Sequence, residues 1–196
     1  MRAGPEVSSN TVFTSGMVNG ATAVAVVEDF AELQVGDWLL QNAANSNCGR
    51  YVISLARRKG IRTCNVVRRA ELIPELERLG GDMVILDGDD LPERVAEATD
   101  GANLMLALDA VAGPATGRLA QCLADGGKVV NYGAVTRLPC EVSFYTIFRK
   151  DVSLVGMSMG KQMQKRDAVQ RRAVYESLAE LIAAGELKAA IAGTYR

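Results

Sequence analysis

The chain reads as an α/β protein: a doubly wound parallel sheet of six strands, with helices on both faces in three αβα layers. Three observations predict it. Short runs such as LMLALD and KVVNY are apolar over consecutive residues instead of alternating, as strands covered on both faces are. Amphipathic stretches of helical spacing lie between them, which is the signal for βαβ units. Glycine, proline and aspartate mark the joints.

Residues 1–20 are rich in Ser, Thr, Asn and Gly and are expected to be an irregular lead-in, with one domain over 21–196. From Ala21 to Leu33 the apolar spacing predicts a helix, closed by Gly36. Trp38, Leu39 and Leu40 begin the first strand, and a helix follows that ends by Gly60. RTCNVV, Arg62 to Val67, is the second strand, and MVIL, Met83 to Leu86, the third, with ELIPELERLGG as the helix between them. Asp89 or Asp90 caps the next helix, which has Pro92 in its first turn. The fourth strand is Leu104 to Asp109; Pro114 opens a helix that Gly126 and Gly127 end. Lys128 to Tyr132 is the fifth strand, Phe144 to Arg149 a short helix, and Val152 to Met157 the sixth strand. Asp167 caps a long last helix that stops at Gly185.

Composition narrows the function. The 196 residues are 48% hydrophobic and 23% charged, which suits a globular domain with a sizeable core. A net charge of −1 speaks against general nucleic-acid binding. No apolar run approaches the roughly 20 residues that span a bilayer, so no membrane role is expected. MRAGPEVSSN has no signal-peptide core, and a cytoplasmic location is expected. There is no histidine, which removes a His base, and the four cysteines form no CxxC pair, so no metal site is expected.

The stretch from Gly36 to Gly60 carries the chemistry. A strand, a tight turn and a helix N-terminus make the arrangement that holds a dinucleotide pyrophosphate in Rossmann-type folds, because free N–H groups and the helix dipole attract phosphate. Ala44, Asn45, Ser46, Asn47, Cys48 and Gly49 stand where GxGxxG is usual, so only the last glycine remains. A plain structural turn and a dinucleotide loop are both open on these residues; the asparagines suit left-handed conformations and Ala and Ser are small. Arg68, nineteen positions after Gly49, and Arg69 occupy the place where an acid binds the ribose of NAD and an arginine suits the phosphate of NADP. The nearest acid in sequence is Glu71. NADPH is therefore the expected cofactor, the alternative being a solvated arginine pair. Arg50 is awkward at a helix start unless a phosphate is its neighbour. Arg57, Arg58 and Lys59 sit in the last helical turn, where the dipole explains them. The loops after strands four and five, with Val111, Gly113, Tyr132 and Gly133, are expected to cover the rest of the cofactor.

These motifs, VGDWLLQNAANSNCGRYVISLARRKGIRTCNVVRR with ALDAVAG, GGKVVNYGA, IFRKDVSLVG and AELIAAGELKA downstream, resemble the zinc-independent medium-chain dehydrogenase/reductase superfamily. Within it they are most similar to the NADPH-dependent trans-2-enoyl thioester reductases and the quinone oxidoreductases. The resemblance covers about Gly20 to Tyr195. It implies that Asn45 and Ser46 line the pyrophosphate loop, that Arg68 holds the 2′-phosphate, and that Val111 and Gly113 lie along a cofactor whose nicotinamide is near Tyr132 and Gly133. Asn47 and Cys48 replace the family's Gly-Val, placing side chains close to the phosphates. Met157 and Ser158 replace an aromatic pair. By this resemblance the family's GroES-like catalytic domain, with its tyrosine acid, is expected to lie outside this sequence.

The resemblance thus implies a cofactor-binding portion of a reductase that delivers hydride to a C=C bond conjugated to a carbonyl, with an enoyl thioester or a quinone as substrate. The alternatives are a non-catalytic NADP-binding or dimerisation module working with a separate catalytic chain, and a degenerate Rossmann domain. Tyr132 and Tyr145 read as packing residues rather than substitute acids. A homodimer through the sixth strand is expected, since VSLVGMSM is an apolar edge that needs cover.

Overall fold

The computed structural model describes residues 9–187. One sheet of six parallel strands runs in the order β3-β2-β1-β4-β5-β6. The strands are β1 (Trp38–Gln41), β2 (Arg62–Val67), β3 (Met83–Leu86), β4 (Leu106–Asp109), β5 (Lys128–Asn131) and β6 (Ser153–Gly156). The order reverses between β1 and β4, which opens a crevice at their carboxyl ends.

The consecutive apolar residues divide between two helix layers, as a period of two requires. Leu39, Leu106, Leu108 and Val130 pack on one side with α1 (Ser9–Glu28), α2 (Asn47–Arg58) and α8 (Ala168–Ala183). Leu40, Cys64, Val66, Ala107 and Val129 pack on the other with α4 (Leu91–Ala98) and α5 (Pro114–Cys122). A smaller cluster joins Ala44, Ile53 and Val67 to Leu76 of α3 (Ile73–Leu79). The remaining helices are α6 (Phe144–Lys150) and α7 (Met159–Gln164).

Several joints behave as their residues predict. Asp167 accepts from the Gln170 amide at 2.8 Å while the Gln170 side chain accepts from the Asp167 amide at 3.0 Å, a reciprocal cap on α8. Pro92 and Pro114 lie in the first turns of α4 and α5.

Other expectations need correction. The irregular lead-in is helical from Ser9, and residues 1–8 lie outside the described ones. The helix extends N-terminally from a packed segment: Ala21, Ala23, Ala25, Val26 and Val27 sit in the core, and their small size lets α1 lie close on α2 and α8. The same helix stops at Glu28 instead of Leu33. Asp29 leaves it to pair with Arg166 at 2.7 Å, and the Phe30 carbonyl accepts from Lys128 Nζ at 2.8 Å. Asp90 caps α4 in position, but its carboxylate binds Arg94 at 2.8 Å rather than a backbone amide. Helix α5 ends at Cys122, where Leu123 turns extended and buries its side chain, four residues before Gly126.

Candidate functional site

The crevice at the strand reversal has a volume of about 320 Å³. Its walls come from the β1–α2 turn (Asn42, Ala43, Asn45, Ser46), the end of β2 (Val67, Arg68, Arg69), Asp87 after β3, Val111 after β4, and Val135. Asn45, Ser46, Arg68, Arg69 and Val111 are therefore brought together as the sequence implied.

The β1–α2 turn is built without the usual glycines. The left-handed residue is Ala43, at φ 47°, and not an asparagine. Ser46 caps α2 by accepting from the Gly49 amide at 3.1 Å, and the Ala43 carbonyl accepts from the Ser46 amide at 2.9 Å. The amides of Asn45 and Cys48 donate to no acceptor among the described residues, so they remain available at a helix N-terminus. Gly49 is required sterically. A Cβ there would lie 2.7 Å from the Ala44 carbonyl oxygen, because α2 packs directly on the turn.

Cys48 does not crowd the turn. Its side chain points into the core, 6% exposed, where the Tyr132 hydroxyl is its polar neighbour. Burial pushes the thiol up to about 12, against a small lowering by Tyr132. That hydroxyl has no well-formed hydrogen bond, and burial raises its pKa well above the ordinary value. Tyr132 is thus a packing residue whose ring belongs to the core. Tyr145, expected to pack as well, is 66% exposed, with Arg149 over its ring at 5.5 Å.

Arg50 does not need a phosphate. It forms an ion pair with Glu75 at 2.8 Å and donates from Nε to the Asn45 carbonyl at 3.0 Å, which steadies the turn. Arg58 and Lys59 pair with Glu186 and Glu28. Arg68 is exposed and its guanidinium has no hydrogen bond or ion pair among the described residues, whereas Arg69 reaches Glu71 at 3.4 Å.

On the other side of the reversal, the β4–α5 turn is sealed. Asp109, fully buried, accepts from the side chains of Asn42, Thr116 and Asn131 at 2.6, 2.6 and 3.0 Å. It also accepts from the Val111 and Ala112 amides at 2.9 and 3.1 Å. Burial is the strongest influence on this carboxyl and opposes its ionisation; the hydrogen bonds from Thr116, Asn42, Val111 and Ala112 together outweigh it and hold its pKa below the ordinary 3.8. The Ala110 amide donates to Asn42 Oδ1 at 2.8 Å and the Gly113 amide to the Pro139 carbonyl at 3.1 Å. Gly113 therefore faces the strap over residues 133–141, and Gly133 packs against Ala110. Asn47, Cys48, Gly49, Gly113, Tyr132 and Gly133 do not line the crevice.

Sequence reasoning missed two groups here. Asn42 and Asp109 join β1 to β4 through a short bond between residues 67 apart. Asp87 enters the same crevice as the arginines because β3 lies beside β2, and the Asp87 amide donates to the Val67 carbonyl at 2.7 Å. The polar residues at the ends of apolar strands were the only available signal.

A family model described as zinc-binding dehydrogenase matches residues 48–174, more than half of the chain. The chain belongs to this zinc-binding dehydrogenase family. With it the chain joins the medium-chain dehydrogenase/reductase superfamily to which its motifs pointed. Among the described residues of this zinc-binding dehydrogenase family member, no three His, Cys, Asp or Glu side chains converge on a metal position. Its relatives include the mitochondrial enoyl-[acyl-carrier-protein] reductases of Dictyostelium discoideum, 32% identical over 87% of this chain and 50% of theirs, and Homo sapiens, 34% over 88% and 48%. The chain spans about half the length of the curated relatives it matches. Among solved structures it resembles a putative NADPH:quinone reductase from Bacillus thuringiensis, with TM-score 0.85, 24% identity and coverage of 98% of this chain and 58% of that one. It also resembles the mitochondrial 2-enoyl thioester reductase heterodimer from Candida tropicalis, at TM-score 0.82 and 20% identity over 90% and 51%. At these identities the likeness is one of fold. Among the described residues no helix is long and apolar enough to cross a membrane.

Proposed function

We propose that this chain is the cofactor-binding portion of an NADPH-dependent reductase, with the pyrophosphate on the α2 N-terminus and the 2′-phosphate on Arg68. The observation that carries the reading is an arginine unpartnered among the described residues in the same crevice as the turn that carries the free Asn45 amide and the start of α2. The residues fit the group: Gly49 leaves the turn compact, Cys48 is turned inward, and Ser46 holds the helix start open toward the crevice. Val67, Leu72 and Val111 supply apolar wall between the polar groups.

When bound, the cofactor would supply hydride. The chain's own residues bind and orient it: Asp109 and Asn42 hold the ends of β1 and β4 in register, and the strap over 133–141 closes one side. The relatives' names favour a 2-enoyl thioester as the acceptor over a quinone. Its binding wall and proton donor belong to the other half of such a protein.

The test is a fluorescence titration with NADPH, together with an assay of NADPH oxidation by crotonyl-CoA. Micromolar binding without turnover is expected from the chain alone. Arg68→Ala should weaken NADPH by about 10- to 100-fold, the worth of one charged hydrogen bond, with folding unaltered. Undiminished affinity in that variant would refute the assignment.

We further infer that the chain pairs with a second copy through β6. Among the described residues, strand β6 is hydrogen-bonded on one side only, to β5. Leu154 on it is exposed, as are Phe144 and Phe148 of the preceding helix α6. A monomer in a sizing experiment at high concentration would contradict this.

A further inference from the structure

The crevice that presents Arg68 also contains a carboxylate. Asp87 follows β3 directly, and its side chain is 17% exposed. Arg118 of α5 grips both of its oxygens, Nε to Oδ1 at 2.8 Å and one terminal nitrogen to Oδ2 at 2.6 Å. This guanidinium is committed to Asp87 and is not a free phosphate ligand, unlike that of Arg68. The charge met by a ligand at the ends of β2 and β3 is therefore set by Arg68, Arg69 and Asp87 in the crevice wall, with Arg118 behind the carboxylate.

We propose that Asp87, oriented by Arg118, is a specificity-determining residue that opposes the 2′-phosphate attracted by Arg68 and accepts hydrogen bonds from the ribose hydroxyls of the unphosphorylated cofactor. An acid at the end of β2 performs that second task in NAD-binding folds. Here β2 ends in arginine and the neighbouring strand supplies the acid. A carboxylate in a shared crevice repels a dianionic phosphate, while the same oxygens remain acceptors for hydroxyl groups. Arg118 is a positioning residue: it holds the carboxylate in one orientation and offsets most of its charge, so Asp87 narrows the preference for NADPH without abolishing it. The chain accordingly binds NADH as well, within about tenfold of NADPH.

This inference rests on the crevice being a nucleotide site, and the test separates the two. Calorimetric titrations with NADPH and with NADH are run on the wild-type chain, D87N and R118M, with thermal melts as folding controls. D87N should raise the NADPH-to-NADH affinity ratio by about fivefold, and R118M, which leaves the carboxylate uncompensated, should lower it by a similar factor. D87S replaces D87N if the latter does not fold. Opposite shifts are not expected of a pair that only braces α5 against β3. NADPH binding that persists with an unchanged ratio in the Asp87 variants overturns this inference alone. Failure of the wild-type chain to bind either nucleotide overturns the proposed function and this inference together.

Discussion

The two strand–turn–helix units on either side of the sheet reversal have the same outline and opposite uses of their backbone amides. In the β1–α2 turn, the Asn45 and Cys48 amides donate to no acceptor among the described residues, while Ser46 donates to the Ala43 carbonyl and Gly49 to the Ser46 hydroxyl. In the β4–α5 turn, Ala110 donates to Asn42, Val111 and Ala112 to Asp109, and Gly113 to Pro139, and proline occupies the first helical position. One turn leaves backbone donors unclaimed, as the proposed phosphate site requires, and the other is a structural joint. The glycine content of a turn does not distinguish them; what matters is whether a buried carboxylate has already claimed the donors.

The largest test of that contrast is removal of the claimant. Asp109→Ala strands the side-chain donors of Asn42 and Thr116 and two backbone amides, leaves Asn131 with its bond to the Gly133 carbonyl, and should cost roughly 3–5 kcal/mol, read as a lower urea midpoint. Asp109→Asn tests the charge alone. Because the folded-state pKa is depressed, the wild-type contribution is full above the unfolded value near 3.8 and is lost as pH falls through the lower folded value. The stability difference between wild type and this variant should therefore shrink below about pH 4, measured by denaturant titration across pH.

Gly49→Ala comes next. With the Ala44 carbonyl 2.7 Å from the new methyl, the cost should be about 1–3 kcal/mol in thermal melting, and the shifted turn should bind NADPH at least ~10-fold more weakly. A variant of full stability and full affinity would show that the turn is not compact.

The smallest effect concerns Cys48. Cys48→Val, close in volume, should alter stability by under about 1 kcal/mol and leave NADPH affinity unchanged, since the thiol faces the core. Alkylation gives an independent reading. Cys48, Cys64 and Cys122, each raised to about 12 by burial, should resist iodoacetamide in the folded chain at pH 8. Rapid labelling of Cys48 would mean that it opens toward the crevice.

Much of the fold is legible residue by residue. MVIL and RTCNVV end where their apolar runs end, and Asp167 caps α8 with its Gln170 partner, because these signals act over one turn of chain. Arg68 is legible too, through its fixed distance from the turn. The start of α1 was not: Ser, Thr, Asn and Gly are weak helix formers, and the helix nonetheless runs from Ser9 into the packed segment Ala21 to Val27. Nor was the inward turn of Cys48: on sequence grounds it stood out as a threat to the phosphates, and only the packing of its side chain into the core explains why it is not.

By itself the sequence determined the class of the fold, the placing of its strands and the arginine at the end of β2, because strand burial and turn chemistry are written in local pattern. The tertiary structure decided which turn keeps its amides free, that the Tyr132 hydroxyl is buried, and that Asp87 shares a crevice with Arg68. Those three depend on which strands lie side by side, and the β3-β2-β1-β4 order brings together residues that no local spacing connects.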